Sequence, residues 1–220
     1  MCCSQGADFL KTKFPGAKTA IGEHVKVVQA FFKGVFNIPD SDLPADGSSF
    51  DHLFTDGEAF KLGELECKIL HTPGHTPACV TIVVGDACFT GDTIFMPDFG
   101  SARCDFPKGS ATSLFHSVRD KIFSLPDATR VFVGHDYAPG GRPIAWETTV
   151  AKCKEDNKHL KLGESEESFV KMRTDRDATL GAPKLLLPAL QVNLRNGHLP
   201  PAEDNGIAYL KIPINVIGSA

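Results

Sequence analysis

The chain has 220 residues and a mass of 23.7 kDa, enough for one domain with a real core or for two small ones. Hydrophobic residues make up 42% and charged residues 23%, and mean hydropathy is −0.09; no unbroken apolar stretch nears the ~18 residues of a spanning helix, which argues against membrane-embedded and disordered classes. Lys and Arg number 23 against 27 Asp and Glu, a net charge of −4, so there is no cationic field to hold a nucleic-acid backbone.

In chain order, the first predicted element is a short helix over 7–14. Residues 23–36 then place Val27, Val28, Phe31, Phe32 and Val35 on one helix face, a stripe expected to pack into a core. Residues 37–56, with Pro39, Pro44, Gly47 and several Asp and Ser, predict a surface loop closing on a turn at Asp56-Gly57. The period then changes to two. Leu65, Cys67 and Ile69 predict one strand, Val80, Ile82 and Val84 a second, and the short apolar run 87–90 a third. A long loop over 92–110 leads to a helix with Leu114, Phe115, Val118 and Ile122 on one side, and then to a buried strand over 130–133. Helices are predicted over 144–157 and 165–180, the second opened by a Ser165 cap with Glu166 and Glu167 in its first turn. From Pro183 onward, prolines between short apolar pieces predict an irregular tail. With no repeat and no low-complexity linker, a single domain over 1–220 is expected, residues 158–220 forming a C-terminal extension packed on it.

The seven cysteines, at 2, 3, 67, 79, 88, 104 and 153, are odd in number and include no Cys-x-x-Cys pair, which is the usage of a reduced intracellular protein. The opening Met-Cys-Cys-Ser-Gln-Gly has neither a secretory h-region nor an Arg-rich amphipathic presequence, so a cytoplasmic location is expected. Cys2 and Cys3 could accept palmitate but lack the polybasic or myristoylated companion that stable anchoring needs.

Residues of metal-ligand type gather where predicted strands end. His71-Thr-Pro-Gly-His75 follows the first of them, Gly91-Asp92-Thr93 the third, and Gly134-His135-Asp136-Tyr137 the strand after. Layered α/β proteins place their sites at such ends, where backbone leaves the ladder and side chains converge on one rim. Two imidazoles and a carboxylate suit a non-haem Fe(II) facial site or part of a Zn(II) site. The three motifs lie too far apart in sequence for a helical clip, so only the fold can unite them.

The ordered set of motifs resembles the metallo-β-lactamase superfamily, at its third, fourth and fifth metal motifs. Within it, Thr90-Gly-Asp-Thr93, Ala102-Arg103-Cys104-Asp105-Phe106 and Gly134-His-Asp-Tyr137 resemble the persulfide dioxygenase (sulfur dioxygenase) branch, a sister of glyoxalase II. Trp146-Glu-Thr-Thr-Val150 and Leu190-Gln-Val-Asn193 resemble its bacterial-type members, and the likeness runs from about residue 5 to the end. This resemblance implies an α/β fold, the four-layer αββα sandwich, here missing its first strands and first metal motif. It implies a mononuclear iron, Fe(II) with Zn(II) as the alternative, and a glutathione persulfide substrate oxidised by dioxygen to sulfite and glutathione, as in sulfide detoxification. His75 and Asp92 match two iron ligands, and His135 matches the remaining superfamily ligand position, near the metal. Arg103 and Tyr137 match positions lining the thiol-substrate pocket, Arg103 as a donor to a carboxylate or sulfur oxyanion and Tyr137 as a phenolic donor. Asp136 is expected to orient a neighbour or cap a turn, and Cys104 to fill apolar space. No nucleic-acid or membrane partner is implied; a homodimer is compatible, and some eukaryotic relatives are mitochondrial.

The His-x-His-x-Asp-His motif that should supply the remaining iron ligand occurs nowhere in the 220 residues, and the stretch expected to follow it stands beside Met1. The chain is therefore expected to begin just downstream of its own first metal motif. His24, His52, His116, His159 and His198 have no partner at the lost motif's spacing and are expected to be exposed or structurally satisfied. With a ligand missing, weak metal binding or none, and little turnover, are expected. Two other functions stand beside the dioxygenase: a two-zinc thioester hydrolase of the glyoxalase II kind, and a non-catalytic truncated product.

Overall fold

The computed structural model describes residues 6–214, so Cys2 and Cys3 lie outside the described residues. The chain runs α1 (Ala7–Lys13), β1 (Ala20–Gly22), α2 (Val25–Phe36), β2 (His52–Phe54), β3 (Ala59–Leu62), β4 (Leu65–His71), β5 (Val80–Val84), β6 (Ala87–Phe89), α3 (Ala111–His116), β7 (Arg130–Phe132), β8 (Glu147–Thr149), α4 (Val150–Asp156), α5 (Glu166–Asp177) and α6 (Leu186–Asn193). It divides into two compact units, Met1–Leu53 with Leu180–Ala220, and Phe54–Thr179.

In the first unit β1 and β2 pair as a small sheet, and α2 buries Val25, Val28, Phe32 and Phe36. That face is turned from the expected stripe: Val27 is 41% exposed, while Gln29 is buried. An amide can replace an apolar side chain there because both of its ends are satisfied. Gln29 Nε2 donates to the Leu194 carbonyl at 2.9 Å, and its Oε1 accepts from the Gly47 N–H at 2.9 Å. Asn37 closes α2 in the left-handed conformation, φ 48°. The segment after it is not all surface, since Ile38, Leu43 and Phe50 are buried. The expected irregular tail contains α6. Pro188 sits in that helix's first turn, where a missing N–H costs nothing, so it does not break it.

The second unit is built on a six-stranded sheet of order β3-β4-β5-β6-β7-β8, antiparallel throughout except for the β6–β7 pair. Consequently β4, β6 and β7 run in one direction and their C-terminal ends share one edge. The register aligns Val83, Cys88, Val131 and Thr148 across the sheet. On that face Cys88 and Val131 join a core with Leu114, Val118, Ile122, Val150, Cys153, Leu160 and Phe169. In β5 the buried residue is Thr81 rather than the expected Ile82. Burying its hydroxyl is tolerable because Thr72 Oγ1 lies 3.1 Å away.

The helix expected after Ser110 forms as α3, capped by Ser110 Oγ accepting from the Ser113 N–H, and continues as a π-helical turn over Ser117–Ile122. The helix expected over 144–157 begins only at Val150. The preceding β-branched Thr148 and Thr149 lie in β8, and the Thr149 hydroxyl caps α4 by accepting from the Lys152 N–H. Ser165 caps α5 as expected. The Phe115 and Phe169 rings, 5.9 Å apart, pack α3 on α5, and residues up to Thr179 group with the sheet.

His159 is buried, its Nδ1 accepting from the Ser101 N–H at 3.1 Å, and Gly100 (φ 102°) lies so close that a Cβ there would fall 2.3 Å from Nδ1. Burial, with Arg173, Arg176 and Lys158 nearby, pushes its pKa down to about 4. The unfolded chain therefore binds this proton first on acidification. Stability should fall by up to ~1.4 kcal/mol per pH unit as pH drops from about 6.5 towards 4, and His159→Gln should flatten that slope in urea titrations across the window. In the same assay Val28→Ala should cost about 1–3 kcal/mol and Val27→Ala less than about 0.5 kcal/mol.

Candidate metal site

Three loops leave the common edge of β4, β6 and β7, and backbone and hydroxyl groups bind them to one another. Thr72, just past β4, places its Oγ1 3.1 Å from Thr93 Oγ1, joining the first loop to the second. Gly134, past β7, donates its N–H to the Gly91 carbonyl at 3.1 Å, joining the second to the third. A Cβ at Gly134 would sit 2.9 Å from the Gly91 carbonyl carbon and 3.0 Å from Asp92 Oδ1, so only glycine lets these loops close this far. From the helical side, the Ser110 N–H donates to the Gly74 carbonyl at 2.8 Å and Ser117 Oγ to the Pro73 carbonyl at 2.6 Å. Gly74 (φ 149°) lies against the Leu114 backbone, with no room for a side chain.

These constraints bring His75, Asp92 and His135 together. Asp92 stands between the two imidazoles, its Oδ2 3.6 Å from His75 Nε2 and its Oδ1 3.3 Å from His135 Nε2. The two rings differ. His75 is 8% exposed, and its Nδ1 lies 2.8 Å from the Arg103 carbonyl. A carbonyl only accepts, so Nδ1 carries the hydrogen and Nε2 presents its lone pair towards Asp92. Burial pushes the His75 pKa down, against the opposing pull of the Arg103 carbonyl and Asp92. His135, with a side chain 39% exposed, sits at the rim beside the Phe95 and Tyr137 rings.

A neutral Nε2 facing a carboxylate oxygen is a pair of electron donors without a proton between them, and that chemistry suits a divalent cation. The donor types fit; the number does not complete a site. Among the described residues no group of three or more His, Cys, Asp or Glu is disposed to hold a metal ion.

The remaining residues singled out from sequence take different positions. The Arg103 guanidinium makes a two-pronged pair with Asp105 at 2.6 and 2.5 Å and lies over the Phe106 ring, whose edge meets His75 at 5.1 Å. Its carbonyl touches the candidate ligand His75. Tyr137 is 57% exposed and stacks on Phe99 at 4.3 Å, with Phe95 edge-on at 5.7 Å. Asp136 caps the turn, accepting from the Ala138 and Ala145 N–H groups and pairing with Arg142, which also grips Asp98. Cys104 is buried and its thiol is pushed up to about 12, as befits an apolar filler. Of the other histidines, His71 lies with Nε2 2.8 Å from the Pro77 carbonyl, His116 pairs with Asp120 and Glu166, His198 with Asp8, and His159 with Ser101. Sequence reasoning passed over Thr72, Thr93, Phe95, Phe99 and Phe106, although each lies within or beside a motif.

This arrangement belongs to a known class. The sequence model of the metallo-beta-lactamase superfamily matches residues 6–135, and the chain is a member of that superfamily, with its mixed α/β fold. It is 54% identical over 213 residues to glyoxylase B2 of Dictyostelium discoideum, a match covering 96% of this chain and 72% of that protein. It is 35% identical over 153 residues to the mitochondrial persulfide dioxygenase ETHE1 of Homo sapiens, covering 69% of this chain and 56% of the human protein. The crystal structure of ETHE1 from Myxococcus xanthus superposes with a TM-score of 0.61 at 34% identity, covering 68% of this chain and 62% of that one.

Gly134→Ala should force the 91–92 turn outward, lengthen the 3.3 Å contact of Asp92 with His135 and cost about 1–3 kcal/mol. A crystal structure and a urea titration of the variant measure both effects.

Proposed function

We propose that this chain carries the core of a mononuclear iron site of the persulfide dioxygenase kind, with glutathione persulfide as substrate. The observation behind the reading is the inequality of the two imidazoles. His75 and Asp92 form a buried pair with the lone pair of Nε2 already aimed, whereas His135 stands at the half-open rim among aromatic rings. The likeness to two ETHE1 proteins, of human and Myxococcus origin, supports the same reading.

His75 Nε2 and an Asp92 oxygen would be two ligands of the iron, and His135 would lie beside it. Bound there, iron would supply the site for bringing dioxygen to the persulfide sulfur. The overall reaction consumes one persulfide, one dioxygen and one water and yields glutathione, sulfite and two protons, four electrons passing from the terminal sulfur to oxygen. The protein's own part is positioning. The Arg103 carbonyl keeps His75 in one tautomer, and Phe106 covers its ring. Phe95, Phe99 and Tyr137 form a partly exposed aromatic wall past which a thiol tripeptide can reach the rim.

A thioester hydrolase is the second reading, favoured by the 54% identity to a protein named glyoxylase. One assay pair separates them. The 220 residues alone should show oxygen uptake at background with glutathione persulfide; joined to a His-x-His-x-Asp-His segment ahead of residue 6, they should consume oxygen on its addition. Hydrolysis of S-lactoylglutathione by the joined protein, without oxygen uptake, would replace the dioxygenase reading with the hydrolase.

A further inference from the structure

Residues 101–104 run between His75 and α5, and their main chain is engaged on both sides. The Arg103 carbonyl accepts from His75 Nδ1 at 2.8 Å. One residue on, the Cys104 N–H donates to Asp177 Oδ2 at 2.8 Å; two residues back, the Ser101 carbonyl accepts from Arg173 Nη1 at 3.4 Å. Arg173 and Asp177 are themselves paired one turn apart on α5, Nε and Nη2 reaching Oδ1 at 2.9 and 2.5 Å, and are only 2% and 5% exposed.

A buried ion pair is a weak source of stability, because desolvation offsets most of its attraction and apolar residues of similar volume often serve as well or better. What apolar residues could not do is hold two main-chain groups of a loop at set positions. Resting on the reading of His75 as a metal ligand, we propose that Arg173 and Asp177 are positioning residues of the candidate site. They fix the 101–104 main chain so that the Arg103 carbonyl holds His75 with its hydrogen on Nδ1 and Nε2 turned to Asp92. The charged pair thus acts on the ligand through one loop without touching it.

The test compares the 220-residue chain with Asp177→Asn, with the double variant Arg173→Leu/Asp177→Leu, and with Asp175→Asn as a control on the exposed Lys171–Asp175 pair of the same helix. The double variant keeps α5 packed while removing both anchors. The first readout is the ¹⁵N spectrum of the His75 imidazole in metal-free protein, which distinguishes the tautomers and is independent of any metal. The unaltered chain and the control should show Nδ1–H alone, and both pair variants a tautomer mixture. The second is Zn(II) affinity of each chain joined to a His-x-His-x-Asp-His segment ahead of residue 6, expected to fall ~10–100-fold in the pair variants and to hold in the control. A folded double variant with His75 still wholly Nδ1–H overturns the positioning role; so does loss of folding in both pair variants, which would assign the pair to global stability. Absence of Zn(II) binding by the unaltered chain joined to that segment would count against the ligand reading, and the tautomer measurement would still decide the role of the pair.

Discussion

The site depends on strand direction. Because β4, β6 and β7 point the same way, their outgoing loops leave from a single edge, and residues remote in sequence need travel only a few positions beyond their strands to meet. Direction brings the loops near; two contacts then set their spacing. The hydroxyls of Thr72 and Thr93 pair across the first gap, and the Gly134 N–H reaches the Gly91 carbonyl across the second. A side chain longer than hydrogen at 134 would occupy the space that Asp92 Oδ1 borders. The candidate ligands are therefore placed by backbone packing, and the imidazole–carboxylate contacts follow from it.

Burial then separates the two imidazoles. His75 lies under Phe106, with its Nδ1 hydrogen committed to the Arg103 carbonyl, and that commitment defines what Nε2 can offer. His135 shares its surroundings with solvent and the rings of Phe95 and Tyr137. One carboxylate thus faces a dry neighbour on one oxygen and a wetter one on the other. Unequal surroundings of this sort are how chemically identical groups acquire different tasks.

Much of this was legible in the sequence, and most of what was missed rests on partners distant along the chain. Turns and ligand-type residues at strand ends are local in sequence, so the motifs around His75, Asp92 and His135 could be read directly. The Thr72–Thr93 contact could not, because composition does not say which hydroxyl faces which. Arg103 was singled out for its guanidinium, yet its backbone carbonyl meets His75, and a carbonyl has no residue signature. α2 was read one position off because Gln29, satisfied at both ends, behaves as a core residue. Pro188 concealed α6 by lying in the one turn of a helix that tolerates it, and the strand preference of Thr148 and Thr149 was masked by the helix-forming residues after them. For Thr93, Arg103 and Gln29 the deciding partner lies far along the chain.

Arg142 adds a mechanical consequence. Its guanidinium grips Asp98 with one pair of nitrogens and Asp136 with another, so the segment bearing Phe99 is stapled to the turn bearing Tyr137. Two aromatic surfaces that would otherwise fluctuate separately are held as a single panel, stacked at 4.3 Å. An incoming molecule meets that panel already assembled, and little conformational entropy remains to be surrendered on contact.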